Sequence, residues 1–395
     1  MTITLPARDA ATPAPTAATP AAPPASMPAD SMHPVPSTPA PEACGLTPAQ
    51  IEEFGRRLDT VRERIIAERG ASDAAYIRKV IRAQRLLEIG GRGMLFAGIL
   101  PPAWIAGTAM LAVAKILENM EIGHNVMHGQ WDWMRDPKIH SSTWEWDIVS
   151  SSQDWKNSHN YEHHTYTNVL GKDRDVGYGL LRISEEQAWR PYYLGNTVYN
   201  FLLSLFFQWG VSLHDLQYEK VLSGEKSRPE AWTQLKRIGR KIRRQVLKDY
   251  VVFPALAGPF FLPVLLGNFT ANTIRNVWSH AVIFCGHFPD GTVVFTEDQL
   301  EGETRGQWYL RQMLGSANLE GGKLFHLMTG QLSFQIEHHL FPDLPSNRYA
   351  EASVEVKALC EEFGLPYTSG GLGRQYFQVL RKIQRLSLPK GRIAA

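Results

Sequence analysis

Apolar residues along this chain gather into three kinds of stretch, and each predicts helix. The first lies between Thr47 and Gly91, where they are mixed with many charges. Thr47-Pro48 supplies an N-cap residue followed by proline at the first helical position, and Gly70 supplies the stop. Ser72 then caps a second helix that carries Arg78, Lys79, Arg82 and Arg85 up to Gly90-Gly91. From Leu86 to Ile122 the chain is mostly apolar, with Pro101-Pro102 near the middle. At about 1.5 Å per residue this makes about 55 Å of helix, just short of two crossings of a roughly 30 Å bilayer core, so we read a hairpin turning at the prolines. Two further stretches, 191–213 between Arg190 and Asp215 and 250–274 between Asp249 and Arg275, carry no charged residue and are long enough to cross a membrane.

Residues 1–43 hold eleven of the 25 prolines and only four charged residues, with no apolar periodicity from which to build a core. We expect them to be disordered. They also lack the basic start and continuous apolar segment of a signal peptide. A formal net charge of +2 over 395 residues names no partner, and nothing points to nucleic acid. Basic residues flank the hairpin on both sides, Arg78 to Arg85 before it and Arg135 and Lys138 after it, and so place both ends in the cytoplasm. The segment 215–249 carries ten Lys/Arg against five Asp/Glu and by the same rule is cytoplasmic, which conflicts with one crossing on either side of it. The chemistry described next decides between the two, because a single metal centre cannot be assembled from ligands on opposite faces of a bilayer.

That chemistry is carried by histidine. Four clusters gather eight of the thirteen histidines: His124 with His128; His159, His163 and His164; Asn276 with His280; and Gln335, His338 and His339. Each has the spacing that stacks donors on one helical face. On an α-helix His159 and His163 share one face and one metal, while His164 turns toward a second. Clustered imidazoles are costly to bury unpaired and repel one another when protonated, whereas a bound metal removes that cost. The cysteines, Cys44, Cys285 and Cys360, lie far apart and match no zinc or redox spacing. Eight imidazoles exceed a zinc site and no carboxylate set of the soluble di-iron type is present, so two irons fit the ligands. Glu162 and Glu337 either orient imidazole N–H groups or pair with nearby Arg or Lys. His287 and His326 remain open as auxiliary ligands, and His33, His140 and His214 read as ordinary polar residues. Trp131, Trp133, Trp144, Trp146 and Trp155 lie between the first two clusters, either lining a substrate tunnel or anchoring at the interface.

Over roughly residues 85–370 the chain resembles the membrane-bound fatty acid desaturases. The three histidine boxes of that family appear as HxxxH at His124/His128, HxxxHH at His159/His163/His164 and QxxHH at Gln335/His338/His339, and its extra donor pair matches Asn276/His280. The sequences Phe284 to Gly291 and Gln335 to Pro345 look similar to bacterial acyl-CoA desaturases of the stearoyl-CoA 9-desaturase type. The resemblance implies an all-α, multi-pass membrane protein of about four transmembrane helices, whose cytoplasmic helical cap holds the di-iron site, in a bacterial inner membrane. It divides the chain into a 1–43 tail, 44–90 amphipathic cytoplasmic helices, a 91–345 catalytic domain and a 346–395 cytoplasmic segment. It also implies two Fe ions, O2 as co-substrate, membrane lipid surroundings and a long-chain acyl-CoA or acyl-lipid that acquires a cis double bond. Electrons come from outside, because no haem-carrier motif, cluster-binding cysteine set or Gly-rich dinucleotide fingerprint is present, so a separate ferredoxin or NAD(P)H-dependent reductase is expected. Two rivals share parts of the pattern. A di-iron hydroxylase differs by leaving oxygen in its product, and a metal-binding or transport protein would place ionisable residues within 191–213 and 250–274, which have none.

Overall fold

The computed structural model describes residues 45–389, and the tail expected over 1–43 lies outside them. The described chain is mainly helical, with one short parallel pair of strands, β1 Asn318–Glu320 and β2 Ser369–Gly371. The first helix, α1 (Pro48–Glu68), begins where the sequence places it. Thr47 Oγ1 accepts from the Gln50 N–H at 3.3 Å and the Gln50 side chain accepts from the Thr47 N–H at 2.9 Å, a reciprocal cap. The second helix, α2 (Ala71–Phe96), is capped by Asp73, not Ser72: Asp73 Oδ2 accepts from the Gly70 N–H at 2.9 Å, and the same carboxylate receives Arg348 at 2.7 Å. The start of α2 is thereby tied to the far end of the chain. A helical hairpin follows as expected, with α3 (Pro101–Leu117) starting at the two prolines.

Beyond α3 the winding changes. Glu118–His124 is π-helical, and a second π-helical stretch, Lys156–His163, continues the short helix Ser152–Trp155. Such wide turns are rare and concentrate at functional sites; these two carry histidine, while a third, Leu247–Val252, carries Asp249 and no histidine. The stretch 191–213 is not one helix. It divides into α4 (Asn196–Leu205) and α5 (Phe207–Asp215) at Phe206. After the basic helix α6 (Arg228–Val246), the stretch 250–274 is likewise interrupted at Gly258-Pro259, before α7 (Phe261–His287). Among the described residues no helix is long and apolar enough to cross a membrane.

Helix α7 is the spine, packed against α2, α3, α4, α5 and, further on, α11 (Leu372–Leu386). A buried ionic cluster pins its first turns to the hairpin. Asp249 receives Lys115 at 2.8 Å and Arg92 at 3.1 Å, and Arg92 also donates to Asn268 at 3.2 Å. Breaking one partner of such a set leaves an uncompensated buried charge. A separate apolar core, with Phe54, Leu58, Tyr309, Ile336, Phe341, Tyr349 and Val356 fully buried, joins α1 to α8 (Arg305–Leu314), α9 (Gln335–Leu340) and α10 (Tyr349–Glu362). It fixes the third histidine box from behind.

Within the hairpin, Gly91 and Gly107 let the two backbones touch: a Cβ on either would sit 2.9 Å from the carbonyl oxygen of the other. Gly107→Val should therefore destabilise the protein by about 1–3 kcal/mol through overpacking. Gly93→Ala, which meets nothing within 4 Å, should be neutral or stabilise by up to about 1 kcal/mol. Thermal unfolding of the purified variants checks this pair, and an unchanged midpoint for Gly107→Val would contradict the packing described.

Candidate metal centre

The histidine boxes converge from three directions. The π-helical turn after α3 presents His124 and His128, the second π-helical stretch presents His159, His163 and His164, and α9 presents His338 and His339. Two groups form with ligand atoms within 4.8 Å of one another: His124, His128, His159 and His338, and then His163, His287 and His339. His164 lies between them, stacked on His339 at 4.4 Å and edge-on to His128 at 4.6 Å. His159 and His163 stack on each other at 4.9 Å and, with Asp175, also bring ligand atoms within 4.8 Å of one another, so the pair the sequence puts on one face stays together where the two groups meet. His124, His128 and His338 close on His159, whereas His287 and His339 close on His163.

The outer nitrogens settle which lone pairs remain. His124 Nδ1 meets Asn125 Oδ1 at 3.1 Å, His163 Nδ1 meets Asp173 Oδ2 at 2.9 Å, His159 Nδ1 meets Asp175 Oδ2 at 3.4 Å, and His339 Nδ1 meets Gln312 Oε1 at 3.1 Å. Each of these oxygens only accepts, so each Nδ1 carries a proton and, in the neutral ring, Nε2 keeps a lone pair. His338 Nδ1 donates to the Tyr349 hydroxyl at 3.1 Å, whose own proton goes to the Phe341 carbonyl at 3.2 Å. The Nε2 atoms of His128, His159 and His338 and both ring nitrogens of His164 are buried with no protein partner. His287 Nε2 and His339 Nε2 face each other at 3.2 Å. Orphaned lone pairs pointed at a common centre are costly in a dry interior and are what a divalent cation satisfies, so the residues fit a two-metal site.

Electrostatics agrees. Burial brings the pKa of His124 down to about 3 and those of His128, His164, His338 and His339 well below the ordinary imidazole range, with mutual repulsion adding to it. These rings are neutral at physiological pH, the form that binds metal. His163 is the exception. Burial opposes its charge, but Asp173 and Asp175 outweigh it and raise the pKa to about 9, so a metal ion there replaces a proton.

Other expected roles fall differently. Asn276 and His280 join neither group: His280 Nε2 meets Asn200 Oδ1 at 3.1 Å and its ring lies on Phe284, while Asn276 donates to the Leu205 carbonyl at 2.8 Å. The α7 residue that joins a group is His287, seven residues and about two turns further along the same helix. Gln335 sits beside it, its Nε2 3.0 Å from His287 Nε2 and its Oε1 without a partner. Glu162 orients no imidazole and instead accepts from Gln217 and Lys220, and Glu337 accepts from Asn318 and Tyr367. His214, read from the sequence as ordinary, holds Asp175 from behind at 2.9 Å. The spacing Asp173-Arg174-Asp175, shortly after the second box, was the available signal for these carboxylates. His140 contacts Ser142 and Asp132, His326 contacts Ser333 and stacks on Phe334, and His33 lies outside the described residues.

A cavity takes part of its wall from both groups, through His124, His159, His163 and His287, and the rest is largely apolar, with Met120, Trp146, Ile148, Trp155, Phe207, Val211, Ile283 and Leu332. Trp146 and Trp155 therefore line it. Trp131 is buried in a separate cluster with Ile77 and Ile122, Trp144 packs against that cluster, and Trp133 donates to the Gln130 carbonyl.

Substitution separates the two candidates on α7. His287→Ala should lose metal measured by mass spectrometry on the purified protein, while His280→Ala should keep it; the reverse result would contradict the grouping.

Residues 100–371 match the fatty acid desaturase family. The NADPH-dependent stearoyl-CoA 9-desaturase of Mycobacterium tuberculosis (strain ATCC 25618 / H37Rv) is 53% identical over 348 residues, covering 87% of this chain and 82% of that protein. The sn-1 linoleoyl-lipid 6-desaturase of Synechocystis sp. (strain ATCC 27184 / PCC 6803 / Kazusa) is 30% identical over 284 residues, covering 69% and 77%. With its histidine boxes gathered around one apolar cavity, the chain belongs to the fatty acid desaturase family and is an oxidoreductase of that class.

Proposed function

We propose that the protein is an oxygen-dependent acyl-CoA desaturase that places a cis double bond within a long chain at two histidine-held irons. The observation that carries this reading is the shared wall between the two imidazole groups and the apolar cavity. Two irons at these groups would supply O2-dependent removal of hydrogen from adjacent methylenes: two hydrogens from the chain, two electrons and two protons reduce one O2 to two waters. The protein's own task is position. An alkyl chain has no polar handle, so the cavity wall of Trp146, Ile148, Phe207, Val211 and Ile283 must hold it by shape and exclude water. Tyr178, stacked on Phe284 at 5.8 Å and edge-on to Phe207 at 5.6 Å, stiffens that wall. His124, His159, His163 and His287 present their nitrogens along it.

A CoA thioester is favoured over a lipid-linked chain by the higher identity to the Mycobacterium protein, whose name states stearoyl-CoA. The same name states NADPH dependence, and with no dinucleotide fingerprint or cluster-binding cysteines in this chain, the reductant reaches it through a separate reductase or ferredoxin. We also propose attachment to a bilayer in several passes with the metal side cytoplasmic. Supporting it are exposed apolar side chains on the hairpin (Ile89, Ile99, Leu100, Ile105), on α4 (Val198, Phe201) and on α7 (Phe261, Leu262, Phe269).

Expression with a reductase system in a desaturase-deficient bacterium tests the reading. A new monounsaturated fatty acid without added oxygen is expected, from protein that stays with the membranes through an alkaline carbonate wash. A hydroxylated lipid would make the protein a hydroxylase, and release by the wash would contradict the membrane assignment.

A further inference from the structure

The wall of the cavity beside the imidazole groups carries one guanidinium, that of Arg275, apart from the carboxylates of Asp175 and Asp215. Arg275 on α7 is 1% exposed, yet among the described residues it makes no ion pair. Its Nε donates to Asn276 Oδ1 at 3.0 Å and one Nη to Asn272 Oδ1 at 3.3 Å, while the other Nη has no hydrogen-bond partner among the described residues. Other buried cations here are treated differently: Arg92 and Lys115 share Asp249, and Arg311 holds Glu303 at 2.6 Å. The carboxylates whose field reaches Arg275, Asp147 and Asp249, are engaged by Lys248, Lys115 and Arg92. A buried guanidinium left short of an acceptor is expensive, and the expense is recovered when a ligand supplies the oxygen.

Its surroundings point to the ligand's chemistry. Asn119, Gln208 and Ser279 line the same cavity, and Gln208 Oε1 is buried without a partner. Next to this cavity, sharing Trp146 and Ile148 with it, lies a polar cleft in which Arg85, Lys241, Arg244 and Lys248 stand among Glu88, Glu118, Glu145 and Asp147. Gln245 in that cleft donates to Asn272 at 3.4 Å, and Asn272 in turn accepts from Arg275. Arg275 is thus linked through Asn272 and Gln245 to the polar cleft while it lines the cavity that holds the apolar side chains. A phosphate would have to shed its water to reach a side chain this deep, whereas a thioester carbonyl sheds little.

We propose that Arg275 anchors the substrate by donating a hydrogen bond to the carbonyl oxygen of the acyl thioester, and so sets which methylenes face the metals. The inference rests on the acyl-CoA reading above. Arg275 and His287 lie twelve residues apart on one continuous helix, about 18 Å along its axis. That separation accommodates the Arg275 side chain, the first part of an acyl chain and the metal ligands, which puts carbons well beyond the carbonyl opposite the metals.

Equilibrium binding to the metal-loaded protein tests this with two ligands, stearoyl-CoA and the S-octadecyl-CoA thioether, which differ by the carbonyl alone. The wild type should bind the thioester tighter by on the order of 10- to 100-fold, the value of a hydrogen bond to a charged group. In Arg275→Met the preference should fall to near one, with metal content unchanged and double bonds appearing at more than one position. Equal affinity of the wild type for both ligands would overturn the proposal without any variant, as would Arg275→Met that keeps both the preference and a single product. Failure of the wild type to form any double bond would count against the desaturase reading instead, since the binding ratio does not depend on turnover.

Discussion

Everything in this protein answers to one constraint, the burial of imidazole lone pairs that the protein itself does not satisfy. Eight rings form two groups with His164 between them, and five of them, His124, His159, His163, His338 and His339, have their Nδ1 atoms already engaged. Asn125, Asp173, Asp175, Gln312 and Tyr349 fix the tautomers, and they can do so only because four remote parts of the chain meet here. The two π-helical turns that carry histidine belong to the same constraint. They rewind the backbone at the positions where histidines from different boxes must share a centre. The core behind α9 holds His338 and His339 against motion that would open the groups.

How much of this the sequence discloses follows from the range of the interaction involved. The Thr47 cap and the hairpin at Pro101 are local, and they stand where the pattern puts them. The three boxes are local too, since donors three to five residues apart lie on one short element. What is not local was not legible. The pair Asn276/His280 has good ligand spacing, yet the turn that carries it faces α4, and the next two turns of the same helix bring His287 beside His163 and His339 instead. Glu162 and Glu337 lie beside the boxes in sequence but point elsewhere, while Asp173 and Asp175 reach the rings from a following loop. Ser72 lost to Asp73 as a cap because Asp73 also gains Arg348, 275 residues away.

The apolar stretches show the same division. Composition marks 191–213 and 250–274 as uncharged, but Phe206 and Gly258-Pro259 divide them, and the buried set of Arg92, Lys115 and Asp249 ties polar groups into the hairpin. Pattern therefore identifies which faces are apolar, whereas the path of the backbone depends on contacts between helices. The cavity illustrates the consequence: its walls come from α5, α7, both histidine turns and the segment of Trp146 and Ile148, so its shape is a property of the assembled helices.

The central claim is that each imidazole group holds one metal ion. Crystals of the iron-loaded protein, measured on both sides of the iron absorption edge, test it most directly. Two anomalous peaks are predicted, one enclosed by His124, His128, His159 and His338 and the other by His163, His287 and His339. A single peak, or a second one beside Asn276 and His280, would contradict it.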